Sequence, residues 1–255
     1  MDLIFDTHAH YDDEAFDADR DELLRSLASR GVGFVLNADA EFEDLPRIIE
    51  LTEKYDFIYG AAGVHPSELE EMDDEKLAVI EKALENPKIV AVGEIGLDYH
   101  YEDTDKPLQK EWFVKQIELA KRTGYPIIVH SRDAAADTLD IIRAEDAHDG
   151  VIHCFAYEKE MAKIYMDRGF YIGVGGVITY KNGRKLKEVV EYMPLERMLL
   201  ETDCPYLSPE PERGRRNDSS KLTFVVDKIA EIKGVDPETV IRITCENAKR
   251  MYRIN

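Results

Sequence analysis

The sequence predicts an α/β protein of the TIM (β/α)8 barrel type, and three observations lead to that prediction. Short apolar runs alternate with helix-like segments along the whole chain, which is typical of βαβ units and a parallel sheet. The length of 255 residues suits one such barrel. Side chains that bind metals stand where several apolar runs stop, and a parallel barrel brings distant strand ends together at one rim.

Eight apolar runs are long enough and sufficiently apolar to be strands. Each is short and is followed by a polar or glycine-containing turn before the next helix-like segment. The predicted strands are Leu3–Asp6, Val32–Asn37, Phe57–Gly63, Ile89–Glu94, Ile127–His130, Val151–His153, Tyr171–Val174 and Met198–Glu201.

The segments between the strands carry apolar residues at helical spacing. Arg20–Arg30 and Gln109–Arg122 are examples in which the apolar residues recur on one helix face. Two further helical stretches follow the eighth run, at about Lys221–Lys233 and Pro237–Arg253, and Asp236 before the proline is a helix start signal. We therefore predict a barrel with one or two extra C-terminal helices.

Composition predicts one domain spanning residues 1–255 rather than two small ones. No linker rich in proline, glycine or serine divides the chain, and no internal repeat is evident. The hydrophobic share of 44% is enough for a full core. Three scattered cysteines fit a reducing compartment, and neither a signal peptide nor a membrane-spanning run is apparent, so we expect a cytoplasmic protein without membrane partners.

The net charge of −20 weighs against a passive nucleic-acid binder, which would normally carry a basic surface. It does not exclude an enzyme that meets phosphates through bound cations and a local basic patch. The charge indicates an acidic, well-solvated exterior. Nothing in the sequence requires more than one chain, and a monomer is compatible with it.

Six side chains at predicted strand ends are candidate metal ligands. Taken singly, each has an ordinary alternative as a buried, hydrogen-bonded histidine or as one partner of a rim salt bridge. Five of the seven histidines stand at carboxyl ends of predicted strands, however, and independent core histidines have no reason to choose that end. The candidate ligands are His8, His10, Glu94, His130, His153 and Asp203.

So many ligands favour two metal ions over one. A single tetrahedral catalytic ion uses three protein ligands and keeps one position open. Glu94 is the natural bridge, because a carboxylate has two oxygens. His65, in Gly63-Val64-His65-Pro66, is the fifth histidine and is expected to contact substrate or to support the site. Glu201 lies two residues before Asp203, on the same strand face, and is a candidate for catalysis or for ligand support.

Two basic segments follow the last predicted strands, where barrels of this type often bind phosphate. Arg213, Arg215 and Arg216 lie close to Asp203 in the chain, and we expect them to bind substrate. The second segment, Lys181–Lys187, could equally bind a polyanionic substrate or be a solvated loop that balances acidic neighbours.

Together these segments resemble the TatD-type metal-dependent deoxyribonucleases, and the resemblance extends over nearly the whole chain in one order. The matching segments are Asp6-Thr7-His8-Ala9-His10, Gly63-Val64-His65-Pro66, Gly93-Glu94-Ile95-Gly96-Leu97-Asp98-Tyr99, Pro126-Ile127-Ile128-Val129-His130-Ser131-Arg132-Asp133-Ala134, His153-Cys154-Phe155, Glu201-Thr202-Asp203-Cys204-Pro205-Tyr206-Leu207 and Asn247-Ala248.

The resemblance implies a TIM barrel that binds two divalent cations through the six candidate ligands and that hydrolyses DNA. Two segments depart from the family pattern. Ala156-Tyr157 stands where members usually carry Ser-Gly, and Asn217-Asp218-Ser219 stands where they usually carry Asn-Glu-Pro. Both departures lie in loops expected to face substrate, so they bear on substrate preference and leave the metal ligands intact.

The leading functional hypothesis is a phosphodiesterase that cleaves DNA, as an exonuclease, with a water activated by two divalent ions (magnesium, manganese or zinc). Asp203 would bind metal and handle the proton of the nucleophile, with Glu94 and Glu201 as the other catalytic candidates. The alternative is a hydrolase of small amides, esters or lactones, because the same activated water attacks a carbonyl carbon. A third reading, a metal-binding protein without activity, is disfavoured by the complete ligand set.

Overall fold

Eight parallel strands lie side by side in chain order in one sheet, with helices between them, in residues 3–254, the part of the chain that the computed structural model describes. This arrangement confirms the predicted (β/α)8 barrel. The strands are β1 (Ile4–Ala9), β2 (Val32–Asn37), β3 (Ile58–Ala62), β4 (Ile89–Asp98), β5 (Ile127–Arg132), β6 (Gly150–Ile152), β7 (Tyr171–Val174) and β8 (Met198–Leu200).

An α-helix follows every strand, and one more helix ends the described chain. The helices are α1 (Arg20–Ser26), α2 (Leu45–Lys54), α3 (Asp74–Ala83), α4 (Lys106–Thr123), α5 (Ala135–Ala144), α6 (Lys159–Asp167), α7 (Arg184–Tyr192), α8 (Leu222–Lys233) and α9 (Pro237–Tyr252). The predicted helical stretches at the C-terminus correspond to α8 and α9. Asp236 caps α9, since its side chain accepts a hydrogen bond from the Thr239 backbone N–H.

Strands β4 and β5 extend further than their apolar runs predict. The two strands continue to pair beyond Glu94 and His130, through Leu97 with Ser131 and Asp98 with Arg132. Backbone pairing therefore holds polar residues in the sheet at this rim, where hydrophobicity alone would have ended the strands.

The last helix closes the amino-terminal end of the barrel. A buried apolar cluster takes residues from all eight strands and also includes Met251, Tyr252 and Ile254 from the end of α9 and just beyond it. The Tyr252 ring lies 6.1 Å from that of Phe5 near the start of β1. The amino-terminal end is filled in this way, so the opposite rim is the end available for a site.

The barrel closes between β1 and β8 through side chains as well as backbone. Thr7 Oγ1 donates to the Leu200 carbonyl at 2.9 Å. Backbone hydrogen bonds also cross the seam, from the His10 N–H to the Cys204 carbonyl and from the Asp203 N–H to the His8 carbonyl, both at 2.9 Å. Asp6 is fully buried, and its carboxylate accepts hydrogen bonds from the Thr202 and Ser219 hydroxyls at 2.7 and 2.6 Å. Burial nevertheless raises the pKa of Asp6 to about 6.

No helix among residues 3–254 is both long and apolar enough to cross a membrane.

Asn247, in the Asn247-Ala248 segment, holds α9 against the start of β8. Its buried amide donates to the carbonyls of Leu195 and Met198 at 2.7 and 2.9 Å. Replacing Asn247 by Ala removes both donors and leaves the two carbonyls without these partners, so we expect the free energy of unfolding to fall by about 2–4 kcal/mol. Urea denaturation measures this loss. Arg250→Ala, on an exposed position of the same helix, is the control and should change stability by about 0.5 kcal/mol or less.

Candidate metal centre

The six predicted ligands lie together at the carboxyl-terminal rim of the barrel. They come from five different strands, so only closure of the sheet brings them together. His8 and His10 are at the end of β1, Glu94 is in β4, His130 is in β5, His153 directly follows β6 and Asp203 follows β8.

Glu94 lies at the centre of this group. The pairing of β4 with β5 shifts between Val92 and Ile95, and a bulge of this kind re-aims the side chain at its position. The Glu94 backbone N–H donates to the Asp39 carbonyl at 2.7 Å, and the residue is only 3% exposed. The bulge thus holds a carboxylate inside the rim, where burial makes hydrogen-bond donors or positive charges necessary as partners.

Oε2 of Glu94 lies beside ligands that come from the first strand, β1, and from the segment after the last strand, β8. His8 Nε2 lies 3.0 Å from Oε2, and His10 Nε2 lies 3.8 Å from it. Asp203 Oδ1 completes the group at 3.4 Å from His10 Nε2 and 3.8 Å from His8 Nε2. These three residues form one set whose ligand atoms all lie within 4.8 Å of one another.

The other oxygen of Glu94 faces a second set of imidazoles. His130 Nδ1 is 2.8 Å from Oε1, and His153 Nε2 is 3.0 Å from it. His65 Nε2 lies further away, at 3.8 Å. The carboxylate therefore stands between two groups of nitrogen donors, with one oxygen toward each.

The spacing and chemistry of these donors suit divalent metal ions. An ion that holds nitrogen and oxygen ligands at about 2.0–2.2 Å places neighbouring ligand atoms roughly 3–3.5 Å apart, close to the separations of 2.8–3.8 Å found here. Mixed imidazole and carboxylate donors admit zinc, manganese or iron, and carboxylates also suit magnesium. His8, His10 and Asp203 could hold one ion and His130 with His153 another, with Glu94 shared.

The buried imidazoles and carboxylates of the pocket shift one another's pKa values. Burial lowers the pKa of His10, but Asp203 and Glu94 outweigh it and raise that pKa to about 10. Burial likewise lowers the pKa of His153, and Glu94 raises it to about 9. Burial raises the pKa of Glu94, yet the surrounding imidazoles hold it well below its usual range. The cluster therefore keeps Glu94 and Asp203 ionised, whereas burial lowers the pKa of His8 to about 4 and leaves that imidazole neutral.

Asp98 orients His130 from behind. Its Oδ2 lies 3.1 Å from His130 Nε2, while its Oδ1 accepts the His100 backbone N–H at 2.9 Å. When Nε2–H donates to Asp98, the lone pair of His130 is on Nδ1, which is the nitrogen that faces Glu94. A carboxylate in this position fixes the ring and tautomer of a metal-binding histidine.

Glu201 lies beneath the ligands and not among them. It is 1% exposed, and Oε1 accepts the Cys154 backbone N–H at 2.5 Å. Oε2 is 3.8 Å from His153 Nδ1, and burial raises the Glu201 pKa to about 7. This position suits support of His153, whereas contact with substrate would require exposure that Glu201 lacks.

An open cleft of about 830 Å³ lies above the ligands. His65 lines it, as do His10, Glu94, His130, His153 and Asp203. Asp203 is the most accessible of the carboxylate ligands, with 21% of its side chain exposed against 4% for Glu94. A substrate in the cleft would therefore meet Asp203 and the shared carboxylate together.

The three predicted substrate-binding arginines do not line this cleft. Arg216 pairs with Asp19 at 2.7 Å, and Arg215 pairs with Glu212 at 2.8 Å. Arg213 lies over the Tyr180 ring, 4.3 Å from its centroid. The structure places all three beside the rim, and their part in binding substrate stays a prediction.

The cations that do line the cleft are Arg47 and Arg132, and the sequence interpretation did not select either. Arg132 had a usable signal, because it lies two residues after His130 in a strand and so on the same face. Arg47 lies on α2, far from any candidate ligand in the sequence, and no spacing rule identifies it.

Comparison with known proteins gives one consistent result. The model of the family described as TatD related DNase matches residues 5–253. The uncharacterized metal-dependent hydrolase YabD of Bacillus subtilis (strain 168) is 43% identical over 255 residues, which cover 99% of this chain and 100% of that protein. YcfH of Escherichia coli (strain K12), also named an uncharacterized metal-dependent hydrolase, is 36% identical, with 99% and 97% covered.

Among solved structures, YjjV, a TatD homologue from Escherichia coli K12, superposes with a TM-score of 0.94 at 32% identity. The match covers 99% of this chain and 98% of that one. The whole barrel is therefore shared with this relative.

The contact between Asp98 and His130 predicts a specific loss in the Asp98→Asn variant. If the Asn oxygen keeps the His100 N–H, its NH₂ group faces His130 Nε2 and favours the tautomer with the proton on Nδ1. We expect the affinity for the ion held by His130 to fall by about 10–100-fold, measured by calorimetric titration of the metal-free protein with manganese or zinc. Asp133→Asn, at an exposed acid that contacts His100, is the control. Equal affinities in both variants would contradict the role assigned to Asp98.

Proposed function

The chain belongs to the TatD-related DNase family and is a metal-dependent hydrolase, and on that basis we propose that it hydrolyses phosphodiester bonds of DNA, as an exonuclease, by means of two divalent ions. One observation carries the proposal. Glu94 presents each of its two oxygens to a separate group of donors at the floor of an open cleft. A carboxylate placed in this way could be shared by two divalent ions, which together would supply the chemistry of phosphodiester hydrolysis.

The ions, when bound, would lower the pKa of a water molecule and draw charge from the phosphoryl oxygens. The protein supplies the geometry. Asp203 faces the cleft from β8, and the neighbouring histidines outweigh the effect of burial and lower its pKa, so it is a carboxylate at neutral pH. That carboxylate can accept the proton of the attacking water.

Arg132 is a cleft residue that could hold a phosphate oxygen. It lines the cleft beside the ligand His130, 47% of its side chain is exposed, and its Nη1 lies 3.9 Å from Asp98 Oδ2. A guanidinium can donate two parallel hydrogen bonds to a phosphate. All of these groups come from one chain, so a monomer suffices for the site.

Hydrolysis of small esters, amides or lactones is the second candidate, and one observation favours it. Among the described residues that line the cleft, Arg47 and Arg132 are the only arginines, and no lysine is present. A carbonyl substrate needs fewer cations than a nucleic acid does. A panel of nitrophenyl esters and lactones, run beside bis(p-nitrophenyl) phosphate, separates the two reactions.

We expect Glu94→Ala to abolish hydrolysis while the barrel remains folded. Removing the shared carboxylate takes away a ligand from both groups of donors, so the rate on end-labelled single-stranded DNA should fall by about 1000-fold or more. The assay uses EDTA-stripped protein with magnesium, manganese or zinc restored.

Glu53→Ala, at an exposed position on α2, is the control and should keep full activity. Thermal unfolding of the Glu94 variant shows whether it has folded. A folded Glu94→Ala protein that cleaves DNA at the wild-type rate would refute the proposal.

A further inference from the structure

One side of the cleft is an acidic wall. It consists of five carboxylates from the segments that follow β1 and β2, and all five line the cleft. They are Asp12, Asp13, Glu14, Glu41 and Asp44. The metal ligands form the floor beside this wall, so any substrate that extends past the floor in this direction meets negative charge.

Most of the charge on the acidic wall is not neutralised. Glu14, Glu41 and Asp44 make no side-chain hydrogen bond or ion pair within residues 3–254. Partial burial and then the neighbouring carboxylates raise the pKa of Glu41 and of Asp44. Two arginines lie against the wall, and both are engaged elsewhere than with these three carboxylates. Arg47 donates to the Asp12 carbonyl at 2.9 Å and pairs with Asp17 at 3.2 Å, and Arg20 donates to the Asp12 and Asp13 carbonyls at 3.1 and 2.9 Å.

A second extension of the cleft is acidic as well. A groove of about 350 Å³ shares Ser67, Asp98 and Tyr101 with the cleft and leads toward the start of α4. The other charged residues that line this acidic groove are Glu70, Asp103 and Asp105. Its lining, as far as the structure describes it, contains no lysine or arginine.

Arg132 and Arg47 are the only arginines among the described residues that line the cleft, and Arg132 lies 3.9 Å from the Asp98 carboxylate beside the floor. Arg132 lies 6.0 Å from the centroid of Tyr101, which is 59% exposed and also lines the cleft. One phosphate with one adjoining base fits this pair, since a guanidinium can hold the phosphate and a tyrosine ring can stack on the base. Further phosphates on either side would lie against carboxylates.

We infer that the cleft selects short oligodeoxynucleotides over long DNA, and that Glu14, Glu41 and Asp44 determine this selection. The inference rests on the proposed phosphodiesterase function and names its substrate class. In a dinucleotide the charge is confined to the phosphate held at the floor. A longer substrate that extends toward the acidic wall or groove would bring further phosphates near these carboxylates, and repulsion within about one Debye length (~8 Å) is only partly screened.

The test compares kcat/KM for oligothymidylates of two, four, eight and about 24 nucleotides in the metal-loaded enzyme. We expect the wild-type value to be highest for the shortest substrates and to fall by about 10-fold at the longest. The Glu14→Gln/Glu41→Gln/Asp44→Asn variant should raise kcat/KM on the longest substrate by about 10-fold and change that on the dinucleotide by about 2-fold or less. Added salt should raise the wild-type value on the longest substrate, whereas a basic nucleic-acid site loses affinity with salt.

A matched control removes the same charge elsewhere. Glu53→Gln/Asp140→Asn/Glu160→Gln changes three exposed helix positions outside the cleft lining and should leave the length profile unchanged. A flat wild-type profile, or the same response in both triple variants, overturns the inference.

Hydrolysis of bis(p-nitrophenyl) phosphate distinguishes this failure from failure of the proposed function. If wild-type enzyme cleaves that diester but shows no length dependence, the phosphodiesterase assignment stands and the selection by the wall is wrong. If it cleaves neither the diester nor any oligonucleotide with any of the metals, the proposed function is wrong and the inference falls with it.

Discussion

The burial of one carboxylate is the constraint on which the rest of this molecule depends. Glu94 is almost fully enclosed, and a buried carboxylate without partners would cost several kcal/mol. Its partners are imidazoles from β1, β5 and β6, which lie within 2.8–3.0 Å of its oxygens. β1 is far from β4, β5 and β6 in the sequence, so the barrel must close in register to bring its histidines to Glu94. The site and the fold thus impose the same geometry on the chain.

The fold was predictable because a parallel barrel buries its strands on both faces and leaves uninterrupted apolar runs. The bounds of β2 and β7 agree with their runs residue for residue. Those of β4 and β5 do not, because the two strands continue to pair through polar residues such as Asp98 and Ser131. Composition carries no trace of such pairing, which depends on the neighbouring strand and on the bulge near Glu94.

The candidate ligands could be selected from the sequence because parallel strands end at a common rim. Features that depend on how a loop turns could not be. Arg216 is near Asp203 in the chain, yet its loop carries the guanidinium away from the cleft to Asp19. Asp98 could be placed near the rim, but its contact with His130 depends on the extra length of β4 and β5. The acidic wall arises from the two segments that follow the paired strands β1 and β2, and the way in which these segments turn toward the cleft could not be read from the sequence.

The seam between β1 and β8 has a consequence for protein synthesis. His8 and His10 leave the ribosome first, but Asp203 and the residues that fasten β8 to β1, including Thr202 and Ser219, come from the last quarter of the chain. A nascent or truncated polypeptide can contain most of the ligands and still lack Asp203, the carboxylate that faces the cleft. The barrel must close before the set of ligands is complete, so we expect unfinished copies of the protein to lack hydrolytic activity.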